Sequence, residues 1–338
     1  MKARLGLRSV WTLGVCLALG GLLGCSGQSV QAGTSGGQNL GGGTQANLGT
    51  LARQLEQAPW VIPYHGIRRL ELNQKDPAIS YREEVSADGQ GGFQLNVLEL
   101  LSVHPDPVSA LRQLEQTKGF QYRYRGFRVQ DAGLFQLAYQ ISLLSKSEEV
   151  AGITCTRMHV DHQNVDPNLL AVDAPNHYLV DFDPNTGLIL RWQEIDPLGD
   201  LVAKMEFESL TYGDPGVPMH PLAFAETEIS LRSSLDDAVG FHVLRPGLLP
   251  QNFRLHRITR VQDGDQTWVR MVFTDGVETL LLMHRPKVEL DQPEASTIGA
   301  YASGDRTVVM GAVNGYELIA EGRLNVAGMQ DFVSSCFQ

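Results

Sequence analysis

Between Trp60 and Tyr212 the chain alternates short segments rich in aromatic and β-branched residues with turn signals, and this rhythm restricts the fold more than any other feature. The segments are Tyr64–Leu72, Ile79–Val85, Phe93–Leu100, Phe120–Val129, Gly152–Val160, His177–Phe182, Leu188–Ile195 and Leu201–Leu210. Asp88-Gly89, Asp131-Ala132-Gly133, Asn185-Thr186-Gly187 and Leu198-Gly199-Asp200 punctuate them. Such runs, bounded by Gly, Asp and Asn, predict a large antiparallel sheet. The spacing predicts three helices around it. Leu48–Leu55 carries Leu48, Leu51 and Leu55 on one stripe; Pro107–Lys118 opens on proline and is followed by Gly119 as a cap; Leu134, Leu137, Ile141 and Leu144 recur at helical intervals over Leu134–Leu144.

Three prolines fall within Gly213–Pro221, the mark of a linker. Beyond it the sequence predicts a helix over Glu226–Val239 and strands at Arg254–Val261, Thr267–Phe273, Glu278–His284, Arg306–Val313 and Tyr316–Glu321. A closing helix follows near Asn325–Cys336. The expected fold class is α+β, mainly antiparallel β. Its divisions are a leader at 1–24, a tether at 25–45, a sheet domain at 46–213, a linker at 214–225 and a smaller α+β domain at 226–338. No internal repeat is visible.

The first 45 residues constrain location. Lys2, Arg4 and Arg8 precede an uncharged apolar stretch from Val10 to Leu23. Fourteen residues of helix reach about 21 Å, short of the roughly 30 Å hydrocarbon core, so the stretch is an export signal and not a permanent span. It ends at Leu22-Leu23-Gly24-Cys25, which resembles the lipobox of bacterial lipoproteins and implies cleavage before Cys25 and acylation of its sulfur. Cleavage removes three cations from a formal charge of −11, leaving −14. A field of that sign disfavours nucleic-acid partners. Ser26, Gly27 and Gln28 begin a Gly/Ser/Gln/Thr tether too polar to fold. With Ser26 in place of a retention aspartate, the expected location is the periplasmic face of the outer membrane.

Motifs that suggest chemistry fail on inspection. Gly33-Thr34-Ser35-Gly36-Gly37 matches a nucleophile elbow in letters only, because no apolar strand precedes Ser35. Asp181-Phe182-Asp183-Pro184-Asn185-Thr186-Gly187 opens like a calcium loop. Thr186 and Trp192, however, stand where Gly and a bidentate Glu are required, so a hairpin turn is expected. His159-Val160-Asp161-His162 is the one close group of metal-ligand types. Its imidazoles point to opposite faces of a strand and the sequence supplies no third ligand, so no metal is assigned. No other cofactor motif is present. Cys155 and Cys336 remain after export, forming either an interdomain disulfide or two separately buried thiols.

Val150-Ala151-Gly152-Ile153, His177–Asp181 with Asn185–Arg191, and Leu201 through Phe207 ending at Tyr212-Gly213 resemble the sheet domain of MucB/RseB proteins. Leu248-Leu249-Pro250-Gln251-Asn252-Phe253 resembles that family's L-P-x-G-F turn, with Asn252 for the usual Gly. Met271 to Gly276 resembles its Y-S-D-G strand end. Together these cover roughly residues 46–338 in order. The resemblance implies a LolA/LolB-like half-open barrel, in which helices cover an apolar cavity, followed by the small domain. It implies a non-enzymatic protein binding a lipid, acyl chain or lipoprotein and an envelope protein partner, an anti-sigma factor in the named family. The lipobox departs from the soluble members of that family. Two alternatives are a lipoprotein or glycolipid carrier without signalling and an exported hydrolase whose site one sequence does not display.

The residues themselves leave the interior open. Tyr64, Phe93, Leu95, Tyr122, Tyr124, Phe127, Tyr178, Phe182, Trp192 and Phe207 fall on predicted strands of one domain. They either pack into a filled core, as dense interiors favour, or line a hollow, as the resemblance implies. In the second case Tyr64, Phe93, Tyr122, Tyr178 and Trp192 are the expected ligand contacts.

Overall fold

The computed structural model describes residues 45–73, 78–102, 106–108, 111, 126–163, 175–216, 225–230, 234–263, 265–287, 297–303 and 306–337. The leader, Cys25, Ser35, Tyr122, Tyr124 and most of the predicted helix Pro107–Lys118 lie outside the described residues.

The predicted alternation becomes one antiparallel sheet. Its strands are β1 (Pro63–Leu72), β2 (Ile79–Asp88), β3 (Phe93–Leu100), β4 (Tyr139–Val150), β5 (Ile153–His162), β6 (His177–Phe182), β7 (Ile189–Ile195) and β8 (Leu201–Tyr212). They lie in the order β3-β2-β1-β8-β7-β6-β5-β4, so the last strand returns to pair with the first. Burial alternates along β1, as a sheet with one covered face requires. Helix α1 (Gln45–Val61) packs Ala52, Leu55 and Ala58 into the core on that face, and α2 (Ala132–Ala138) adds Phe135.

A second antiparallel sheet contains β9 (Ala225–Glu228), β10 (Arg254–Asp263), β11 (Gln266–Thr274), β12 (Thr279–Pro286), β13 (Thr297–Ser303), β14 (Arg306–Val313) and β15 (Tyr316–Gly322), in the order β13-β14-β15-β12-β11-β10-β9. A short helix, α3 (Leu235–Val239), packs Leu235 into its core, and α4 (Val326–Ser334) covers one face with Met329, Phe332 and Val333. The chain is thus α+β with antiparallel sheets dominating.

Several elements differ from expectation, each because pairing overrides local preference. The predicted helix Leu134–Leu144 stops at Ala138, and Tyr139 onward forms β4 against β5, from Tyr139 opposite His162 to Val150 opposite Ile153. Its helical stripe does not reach the core as a unit: Leu137 is 69% exposed and Leu144 is exposed, while Ile141 packs on the core from β4. Asp131-Ala132-Gly133 is accordingly a helix start, with Asp131 Oδ1 accepting from Leu134 N at 2.8 Å. The predicted helix Glu226–Val239 splits. Its first part pairs with β10 as β9, and among the described residues of this span only Leu235–Val239 is helical, between Ser234 and a left-handed Gly240. Phe127–Val129, the described end of one predicted strand, is irregular. Strand β13 was not anticipated, since its Gly299, Ala300 and Ala302 are poor strand formers and it is held by edge pairing with β14. Asn252 has φ of 68°, the left-handed conformation expected for the residue in place of Gly.

Candidate functional site

Strand alternation sends Tyr64, Arg68, Leu70 and Leu72 of β1 and Tyr81 and Glu83 of β2 to the covered face. There they meet Trp192, Met205 and Phe207 from β7 and β8. The result is a cleft of about 50 Å³, closed on one side by Gly126–Arg128 and at one end by Pro59 of α1. Gly126 is necessary here: its φ is 78°, and a Cβ would stand 2.3 Å from the Trp192 ring. The expected hollow is therefore small. The rings instead pack on one another, Tyr64 on Phe207 at 6.1 Å, Phe127 on Phe135 at 6.1 Å and Phe127 on Tyr178 at 5.0 Å between centroids.

Of the five expected ligand contacts, Tyr64 and Trp192 line this cleft, and Tyr178 stands behind Phe127. Phe93 lies apart on β3, edge-on to Trp60 at 6.4 Å. Tyr122 falls outside the described residues. Sequence inspection missed the polar centre of the cleft. Arg68 and Glu83 are direct cross-strand partners, both buried, with Arg68 Nε donating to Glu83 Oε1 at 2.6 Å. The signal was present, because each is a charged residue at the inward parity of its strand. An ion pair in this setting orients or neutralises, and it does not provide a nucleophile with a base.

The second sheet meets the first at a polar joint beside the cleft. The turn between β11 and β12 presses Gly276, φ 114°, against α2, where a Cβ would lie 2.2 Å from Phe135 N. Gln130 N donates to Gly276 O at 2.7 Å. Tyr139 donates its hydroxyl to Asp275 Oδ2 at 2.9 Å, and Tyr178 donates to Glu278. Arg323, just before α4, donates to Glu194 of β7 and Glu278 at 2.8 Å each, and to the Tyr178 oxygen at 3.1 Å. Burial and the neighbouring Glu278 raise the Asp275 carboxyl to about 6. Burial raises both tyrosine hydroxyls well above their ordinary range. The hairpin at Asp275-Gly276 was legible in the sequence, but its burial against another sheet was not.

The remaining expectations resolve locally. Asp183 closes the expected hairpin turn, accepting from Asn185 N at 2.9 Å, Thr186 Oγ1 at 3.0 Å and the Tyr212 hydroxyl at 2.6 Å. Asp181 is spent on Arg157 and Arg191, at 2.8 and 2.6 Å. Cys155 and Cys336 are free, the second of the two arrangements the sequence left open. Each belongs to its own sheet's core, and burial raises their thiols to about 11 and about 12. Among the described residues, no helix is long and apolar enough to cross a membrane.

No family model matches the chain, and no curated protein matches it either. Solved structures do. The complex of Pseudomonas aeruginosa MucA and MucB superposes over 85% of this chain and 96% of the other, at 14% identity and a TM-score of 0.46. A crystal structure of MucB alone covers 86% of this chain and 98% of its own, at 15% identity and a TM-score of 0.45. The chain is thus similar to MucB over most of its length.

Proposed function

We propose that this chain is a non-enzymatic, lipid-anchored envelope protein whose first sheet binds an acyl chain and whose second sheet engages a protein partner. Cys25 would carry the anchor on the periplasmic side of the outer membrane, and the tether that follows would give the folded part its reach. The resemblance of the sequence motifs supports an anti-sigma factor as the partner.

One observation carries the coupling between ligand and partner: Tyr178 belongs to both regions. Its ring packs on Phe127, which covers the cleft, and its hydroxyl bonds Glu278 and Arg323 in the joint. A cleft of about 50 Å³ holds little, so an acyl chain enters only by lifting the Gly126–Arg128 cover from Trp192. Each methylene it buries contributes about 0.8 kcal/mol. Moving Phe127 disturbs Tyr178, so the closed joint and the filled cleft disfavour each other. That differential is what a ligand-driven exchange of partners requires. A simple carrier has no need for such a shared residue.

The test is to purify the full chain, identify co-purifying lipid by mass spectrometry and titrate a fluorescent fatty-acyl probe. Saturable binding that increases amide exchange in the Asp275-Gly276 turn is expected. Because the coupling is reciprocal, the Tyr178→Phe variant should bind the probe more tightly than the parent chain while the turn responds less. No bound lipid and no saturable titration would overturn the acyl-binding function. For the anchor, Cys25→Ala should move the protein from the membrane fraction to the soluble one, and continued sedimentation would reject lipidation.

A further inference from the structure

Strand register gathers a set of metal-ligand side chains outside the cleft and the joint, on the face of β5 and β6 opposite to that of Tyr178. β5 and β6 pair through Val160 opposite Tyr178, so one step further places Asp161 opposite His177. His159 precedes Asp161 by two residues and shares its face, the face on which Arg157 meets Asp181. His162 has the other parity and stacks on Tyr139 at 4.4 Å. The ligand the sequence did not supply at this strand end thus comes from the neighbouring strand.

We propose that His159, Asp161 and His177 form a binding site for a divalent transition metal, zinc by its ligand chemistry, with the remaining coordination position open to water. Their ligand atoms all lie within 4.8 Å of one another, and all three side chains are partly exposed. His159 Nδ1 is 3.1 Å from Asp161 Oδ2, and the two imidazole rings stand nearly perpendicular with centroids 4.9 Å apart. Zinc–nitrogen bonds of about 2.0–2.1 Å at tetrahedral angles put ligand atoms roughly 3.3 Å apart. The His–Asp pair is already at that spacing, and a small side-chain rotation brings in His177. Two imidazoles and one carboxylate match three-ligand zinc sites that keep a position open. Such an ion would tie β5 to the first residue of β6, adjacent to Tyr178.

The experiment uses the untagged full chain, stripped with a chelator and titrated near neutral pH with zinc chloride. Cobalt(II) serves as a spectroscopic stand-in, since its visible bands report nitrogen and oxygen coordination. One saturable equivalent per chain, a higher Tm with metal and a cobalt spectrum are expected. His159→Gln and His177→Gln should each lose all three while keeping the Tm of the chelated protein. Metal stoichiometry and cobalt bands that persist in both variants would overturn the site, as would titrations of the parent chain that never saturate. Should His177→Gln fail to fold, His159→Gln carries the same test alone.

Discussion

The two sheets share antiparallel order and differ in what their middle strands bury. In the first, β1 alternates between covered and open positions, and the covered face keeps a cleft with the Arg68–Glu83 pair inside it. In the second, β11 is buried from Trp268 to Thr274 and β12 from Thr279 to Arg285 without alternation. Phe273, Leu280 and Leu282 pack beneath α4, while Val272 and Leu281 meet on the opposite face. A strand buried on both faces is a rigid lever, and a sheet with an imperfectly filled face can yield. Under the proposed function, a ligand would act on the first sheet, whose covered face is incompletely filled, and the second would respond through the turn that its buried strands hold in place.

Breaking the contact between the two should have the largest effect. Gly276→Ala adds a Cβ against the Phe135 backbone at a φ of 114°. We expect a loss of about 4 kcal/mol or more in chemical denaturation. An unchanged midpoint would show that the turn does not seat against α2. Within the first sheet, Glu83→Leu leaves the buried Arg68 guanidinium without its carboxylate, at a cost of about 3–4 kcal/mol. The double variant Arg68→Met/Glu83→Leu should recover most of it, and failure to recover would mean that the pair organises the cleft rather than merely occupying it.

Asp275 gives the joint a pH dependence. Its folded carboxyl, near 6, lies above the ordinary 3.8, so the folded state holds a proton that the unfolded state releases between those values. Its contribution is therefore greatest below about pH 4 and falls as pH rises through 6, by up to about 3 kcal/mol. Burial and the neighbouring Glu278 oppose its ionisation, while the Tyr139 hydroxyl and the backbone N–H groups of Val277 and Glu278 donate to it. In Asp275→Asn that fall should vanish, so the stability difference from the parent chain changes across this window. Parallel curves would assign the pH dependence elsewhere. The smallest effect belongs to the cysteines: reducing agent should leave Tm unchanged, because both thiols are free. A drop on reduction would reveal a bond between the cores.

Turn chemistry and strand composition were strong local signals. Asp88-Gly89, Asp183 to Gly187 and Asp275-Gly276 all turn as their residues require, with glycines at positive φ. Helical spacing over Leu134–Leu144 misled because periodicity records which residues repeat and not which surface is there to receive them. Within the site, Tyr64 and Trp192 were legible as inward aromatics. Arg68 and Glu83 could have been found by the same parity, since a charge at an inward position has to find a partner.

By itself, the sequence determined the antiparallel class, the positions of most strands and the places where the chain reverses, because each depends on residues within one short window. Tertiary structure alone decided that β8 returns to β1, that the Asp275 turn docks on α2, that the thiols stay apart and that His177 joins His159 and Asp161. Each of these depends on pairing between distant segments, and a one-residue change of register would send every one of those side chains to the opposite face.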